Sequence, residues 1–403
     1  MTASPIGSAV RPWRAVAMLS ISETVAWGIL YYSFGVLLRP FASHLQASEA
    51  SIAGAFSGAI LASAATAWVA GASIDRWGPR PVMTLGALLG VGAFASLASV
   101  DTLAAFYVAW ALIGVSQAAV LYEPAFAAIA KWFSDPNERS RALLSVTLVA
   151  GFASTIFVPL TAALYERFGH ERSVLLLALV ALVTVVPLNA ALPRHHAAAK
   201  PGREPTPAAR ASTHASDGFP VLAAVFSLQA FASAGVTVHL VTHLRENGFE
   251  LTAAAAVTGL LGAAQVPARL LYQTFQRLLG ARARLPVLLG VQALSLVGVL
   301  ATAHPVAIAS ALVFGAANGL MTLERAVVIA DVFGTERYGA VSGRVATVAN
   351  AARAAAPLAV GLLKTMAASY AIPFLGLAVL TAVAGAMAWA WARDGFAAQK
   401  TTV

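Results

Sequence analysis

The chain has 403 residues, of which 59% are hydrophobic and 11% charged, and a formal net charge of +9. Its mean hydropathy of +0.77 and its charged share, far below the roughly one quarter usual in soluble domains, exclude a water-soluble globular fold. The absence of cysteine excludes disulfides, thiol catalysis and Cys-ligated metals.

Apolar segments recur at 14–38, 50–72, 81–100, 103–130, 141–165, 172–192, 220–244, 252–274, 285–303, 305–330, 342–364 and 371–392. About 20 residues at 1.5 Å each cross a hydrocarbon core about 30 Å thick, and in lipid such segments must satisfy their own backbone as helices. The expected fold is therefore an all-α polytopic membrane protein with twelve transmembrane helices in two pseudo-symmetric six-helix bundles (6+6).

Segment one carries Glu23, Tyr31 and Tyr32. It reads as a retained helix, because it is too long for a cleaved leader and lacks a small-residue cleavage site. Between segments two and three, the stretch GASIDRWGPRP (71–81) crowds Asp75, Arg76 and Arg80 into eleven positions. Gly78 and Pro79 suit a short turn, Gly71 permits close helix approach, and Arg76 and Arg80 hold the turn in the cytoplasm. Asp75 adds nothing to topology. Its chemistry suits accepting from a helix N-terminus or pairing with an arginine.

Segment four contains Gln117 and Glu123, the latter followed by Pro124, which loosens the helix. Residues 193–219 are rich in Pro, Ala, Ser and charge and read as a cytoplasmic linker between bundles at 1–192 and 220–403. His195 and His196 lie on that linker, where adjacent histidines define no metal cage. No metal and no cofactor are expected. Segment eight carries Arg269, segment ten Asn318, Glu324 and Arg325, and segment eleven Arg353.

The halves echo each other. GVSQAAVLYE (114–123) aligns with GAANGLMTLE (315–324) at an offset of 201 residues, and the same offset carries Asp75-Arg76 onto Gln276-Arg277. Duplicated six-helix halves are a transporter signature, with sites near the membrane midplane at the repeat interface. The pairs Gly54/Gly58, Gly86/Gly90 and Gly315/Gly319 have the spacing of close helix packing.

With the N-terminus inside, eighteen of the 26 Lys and Arg residues fall on the inner side, five on the outer and three within helices. This positive-inside bias sets both termini in the cytoplasm and explains the net charge better than nucleic-acid binding does.

A charge at membrane depth costs about 2.5–3.5 kcal/mol on insertion scales, so each marks a function or a pairing. The N-terminal half contributes only acids, Glu23 and Glu123, whereas the C-terminal half contributes Glu324 and all three arginines. A guanidinium is a planar fork matched to carboxylate, and Arg269 with Arg353 are expected to clamp an anion. Glu23 and Glu123, desolvated and without a basic neighbour in their own half, are the proton-coupling candidates, with Glu324 either a third or a neutraliser of Arg269. Tyr31, Tyr32, Gln117 and Asn318 are expected to supply neutral hydrogen bonds to the solute.

The 71–81 stretch resembles the helix 2–3 loop of the major facilitator superfamily, G-x-x-x-D-R-x-G-R/x-R, with Gly71, Asp75, Arg76, Gly78 and Arg80 on the pattern. The resemblance implies that Asp75 latches the cytoplasmic side, with Arg139 or Arg141 and the helix start near Arg344 as partners. VPARLLYQ and NAARAAAP place Arg269 and Arg353 as in the monocarboxylate-porter and oxalate/formate-antiporter group, whose helix-8 and helix-11 bases bind carboxylate. The chain departs from the animal carriers in having Gln265 where they have Asp, and no base between Arg14 and Arg39.

Enzyme signatures are missing: His170-Glu171 lacks the second His of H-E-x-x-H, and neither G-x-S-x-G nor a P-loop occurs. The expected function is secondary-active transport of a small organic anion, a mono- or dicarboxylate, by proton coupling or exchange. The alternative is a proton-driven multidrug exporter of the same superfamily. The expected partners are an anionic solute, protons and the lipid bilayer, with no nucleic acid. The expected form is a monomer in a plasma membrane, the bacterial inner one.

Overall fold

The computed structural model describes residues 6–193 and 212–400. His195, His196 and the linker over 194–211 lie outside the described residues, whereas 212–219 form the first turns of the helix Ser212–Glu246. Among the described residues the secondary structure is entirely helical.

Ten segments are long and apolar enough to cross a membrane, and one of them, Pro136–Ala190, runs to 55 residues. That segment breaks at Gly169, whose φ of 73° and ψ of −172° no helix accommodates. It therefore supplies two membrane helices, and Leu251–Leu270 completes twelve among the described residues. We number them α1 (Pro12–Leu38), α2 (Glu49–Trp77), α3 (Pro79–Ser96), α4 (Leu103–Trp132), α5 (136–168) and α6 (170–190). The second set is α7 (Gly218–Glu246), α8 (Leu251–Leu270), α9 (Ala281–Val299), α10 (His304–Phe333), α11 (Tyr338–Ala367) and α12 (Ala371–Lys400).

The chain divides into two compact units, Met1–Gly202 with Gly334–Thr347 and Arg203–Phe333 with Val348–Val403. The first turns of α11 thus pack as part of the first unit, and the rest of that helix belongs to the second.

In the first unit, Leu19, Ile29, Phe41, Phe94, Phe106 and Trp110 are completely buried. Large apolar side chains such as Leu85 (67% exposed) cover the outside. This inverts the soluble pattern and suits a lipid solvent, in which helices gain by tight packing rather than by hiding apolar surface. Gly114 makes that packing possible where α4 crosses α2: a Cβ there would stand 2.1 Å from the Ala59 carbonyl oxygen.

The second unit repeats the device. A Cβ on Gly315 of α10 would stand 2.2 Å from the Leu261 carbonyl oxygen of α8, and one on Gly319 2.7 Å from that of Gln265. The two glycines related by the 201-residue offset therefore occupy equivalent helix crossings. Gly58 departs from the expectation drawn from its spacing, since a Cβ there would meet nothing within 4 Å.

A second repeat is independent of glycine. His44 Nε2 lies 3.1 Å from the Val100 carbonyl oxygen in the first unit, and His243 Nε2 lies 3.2 Å from that of Val299 in the second. Both pairs are 56 residues apart in the chain. Each ties the end of a unit's first helix to the end of its third.

Candidate functional site

The turn expected over 71–81 contracts to one residue. Helix α2 runs on to Trp77, Gly78 takes φ +85°, and Pro79 opens α3 at its first position, where a missing N–H costs nothing. The charged side chains therefore sit on helix rather than on loop. Asp75 accepts from the backbone N–H of Gly339 at 3.2 Å and of Ala340 at 2.7 Å, the first turn of α11 within the same unit. A carboxylate on those otherwise unbonded donors is stabilised by the helix dipole.

A cation on Asp75 is Lys131, at 2.9 Å, a residue to which the family resemblance did not point. Lys131 also donates to the Ile74 carbonyl at 3.3 Å. Gly71 is required here because a Cβ would stand 1.9 Å from the Gly339 carbonyl oxygen. Arg76 lies over the Trp77 ring at 5.5 Å, and Arg80 is half-buried.

In α1, residues Gly28–Tyr32 form a π-helical turn. Such a turn adds a residue to the helix and leaves a carbonyl poorly served, and it recurs at functional sites. Here the Gln117 amide reaches from α4 and donates to the Leu30 carbonyl at 2.7 Å. Gln117, expected on the solute, is buried and committed to the helix backbone. Gly28 lets α5 approach the same turn, since its Cβ would stand 2.2 Å from the Phe157 ring.

Tyr31 and Tyr32 project from this turn into a set of rings. Tyr31 lies 5.0 Å from Phe56 and 5.3 Å from Tyr32, and Trp27 lies 5.1 Å from Tyr31 and 5.0 Å from Tyr122. One turn before Trp27, Glu23 is fully buried, and neither carboxylate oxygen has a hydrogen-bond partner among the described residues.

Helix α4 breaks at Leu121, whose ψ of −159° is extended, and restarts at Tyr122. Pro124 explains the break: it has no N–H for the Val120 carbonyl, and its ring crowds that residue. Glu123 consequently sits in the first turn of a new helical stretch and accepts a hydrogen bond from the Ser342 hydroxyl of α11, within the first unit.

The second unit holds the other charges. Glu324 is fully buried, accepts from the Tyr272 hydroxyl at 2.7 Å, and lies 3.6 Å from Nε of buried Arg284. Arg284, counted from the sequence as a topology charge, is thus an arginine beside it. Asn318 Oδ1 accepts from Gln229 Nε2 at 3.0 Å and from Ser233 Oγ at 3.1 Å. These two α7 residues were not singled out from the sequence.

Arg269 is buried in the last turn of α8, just before the break at Leu271. Arg353 is exposed and makes no hydrogen bond, ion pair or ring contact among the described residues. Pro357 follows four residues on, so the Arg353 carbonyl loses its helical donor. The Pro357 carbonyl is in turn met by His239 Nε2 at 3.0 Å. Arg325 is half-buried and engaged. Among the described residues no cluster of three His, Asp or Glu side chains has metal-binding geometry.

Comparison with known proteins bears on this arrangement. The family model described as Major Facilitator Superfamily matches residues 16–357. Human monocarboxylate transporter 11 is 27% identical over 282 residues, 67% of this chain and 58% of that protein. Its mouse counterpart is 28% identical over 188 residues, 45% of this chain and 40% of that protein. Bovine monocarboxylate transporter 13 is 28% identical over 260 residues, covering 62% and 59%. The chain spans between 40% and 59% of the length of these curated relatives.

Among solved structures, the human organic anion transporter MFSD10 superposes with a TM-score of 0.71 at 18% identity, over 96% of this chain and 100% of that one. The fucose:proton symporter of E. coli gives 0.72 at 15%, over 96% and 99%. Both likenesses establish the twelve-helix fold. With a family model matched over most of its length, the chain is an integral membrane protein that belongs to the Major Facilitator Superfamily, a family of transporters rather than enzymes.

Proposed function

We propose that the protein is a secondary-active transporter of a small organic anion, of the mono- or dicarboxylate class, coupled to protons or to exchange and working by alternating access. The observation that carries this reading is Arg353, an exposed guanidinium with no protein partner among the described residues, on a helix of membrane-spanning length. A cation of that kind at membrane depth needs an anion, and its fork matches a carboxylate. Kinship with curated monocarboxylate transporters supports the same class. Arg269 is the second basic group of the reading, and Asn318, held by Gln229 and Ser233, is its neutral contact. Tyr31 and Tyr32 stay as solute contacts, whereas Gln117 serves α1 instead.

For the proton, Glu23 is the strongest of the three glutamates, because it alone is buried without a hydrogen bond among the described residues. Glu123 is held by Ser342, and Glu324 by Tyr272 and Arg284. The Asp75 cluster with Gly71, Arg76, Gly78 and Arg80 is the cytoplasmic gate. The protein acts as a monomer in the plasma membrane, the bacterial inner one, with both termini inside.

Uptake of a panel of radiolabelled mono- and dicarboxylates into proteoliposomes tests the reading, with and without an imposed pH gradient. Accumulation of at least one acid, lost in Arg269→Ala, is expected. Flux indifferent to the gradient removes proton coupling, and undiminished flux in the arginine variant removes Arg269 from the site.

A further inference from the structure

The polar and charged groups of the proposed site leave one feature of the first unit unused, the rings around the π turn. Trp27, Tyr31 and Tyr32 of α1, Phe56 of α2 and Tyr122 of α4 form an unbroken series with neighbouring centroids 5.0–5.3 Å apart. Phe56 is backed by buried Phe34, stacked at 4.5 Å and 17°. All five rings of the series are partly exposed, Tyr32 at 37%. One side of the series therefore rests on the core and the other is open.

Two observations argue against lipid as what covers the open side. The Tyr31 hydroxyl makes no hydrogen bond among the described residues, and a hydroxyl turned toward acyl chains costs about 2–7 kcal/mol. Trp27 and Tyr31 also sit well inside Pro12–Leu38, away from the ends where aromatic side chains anchor a helix at the membrane interface. The π turn bears on the guest: it is met from outside α1 by Gln117, and Tyr31 and Tyr32 at its end lie 5.3 Å apart at 78°. A ring at that angle offers a face and an edge to a flat guest, the two arrangements aromatic pairs prefer.

We propose that these rings are the specificity surface for the body of the solute, and that the solute class is an organic acid bearing an aryl or similarly flat apolar group. This rests on the organic-anion reading above. Small hydrophilic acids such as acetate gain nothing from such a surface. Each ring contact adds affinity for a flat group, and one or two of them amount to about tenfold.

The test is ligand-induced thermal stabilisation of the full-length protein in detergent, titrated with pyruvate, phenylpyruvate and the neutral 3-phenylpropanol. In the wild type, phenylpyruvate is expected to bind about tenfold more tightly than pyruvate. Phe56→Leu is expected to bring that ratio close to one while pyruvate affinity stays as in the wild type, and Tyr31→Phe, which keeps the ring, to preserve the ratio. Equal affinity for the two acids in the wild type overturns the proposal, as does a loss of both acids in parallel in Phe56→Leu. Phenylpropanol binding as tightly as phenylpyruvate overturns the anion reading alone and leaves the ring surface standing. Failure of both acids to bind the wild type overturns both.

Discussion

The Gln117 amide and the Leu30 carbonyl are joined by a 2.7 Å hydrogen bond inside the π turn of α1. Gln117→Leu keeps the volume but strands that carbonyl, at a cost of about 1–3 kcal/mol. A lower melting temperature of the purified protein in detergent is expected, with no comparable fall for Gln273→Leu, which lies outside the turn and makes no hydrogen bond among the described residues. An unchanged melting temperature shows that the turn does not depend on Gln117.

Asp75 and Lys131 form an ion pair with side chains 14% and 9% exposed, and Asp75 also holds two N–H groups of α11. Single removal of either partner leaves a poorly solvated charge, so the two losses are not additive. A double-mutant cycle of Asp75→Ala and Lys131→Ala, read by thermal unfolding, is expected to give a coupling of about 0.5–3 kcal/mol. Zero coupling means that the pair acts on topology alone.

Gly114 and Gly315 meet the backbones of Ala59 and Leu261 at the two equivalent crossings. Alanine at either forces the helices apart, with overpacking costs of about 1–3 kcal/mol. Gly58→Ala, with open space around it, is the control and is expected to be neutral. Equal stability of all three variants contradicts the packing account.

How much of this was legible beforehand follows from the range of each signal. Segment lengths and the 201-residue repeat are local or periodic, so the twelve helices and the pairing of Gly114 with Gly315 could be read directly, whereas which glycines meet a neighbouring backbone could not, as Gly58 shows. The π turn carries no such mark: GILYY reads as ordinary helix, and its extra residue is stabilised by Gln117, 87 positions away. Lys131 on Asp75 and Arg284 near Glu324 were also missed. Both cations lie near helix ends, where the positive-inside rule already accounts for them, and only packing shows that they are buried in pairs. Gln229 and Ser233 escaped notice because polar residues in a membrane helix are common, and what distinguishes them is a shared partner on another helix.

Glu324 and Arg284 lie 0% and 8% exposed at 3.6 Å. Glu324→Leu leaves the arginine buried and unpaired, at a cost of about 3–5 kcal/mol, whereas Tyr272→Phe removes one neutral donor at about 1–3 kcal/mol. The double variant Glu324→Leu/Arg284→Leu is expected to recover most of the loss. Yield and melting temperature of the three proteins are the readout, and a double variant worse than Glu324→Leu refutes the pairing.

The central claim is that Arg353 meets the anion. Initial uptake of a transported radiolabelled carboxylate is the most direct measure, in proteoliposomes holding equal amounts of wild type, Arg353→Lys and Arg353→Ala. Loss of one charge-assisted contact of about 1.5–3 kcal/mol predicts uptake reduced more than tenfold in the alanine variant, with partial recovery in lysine. Uptake in Arg353→Ala at the wild-type rate and KM contradicts the claim.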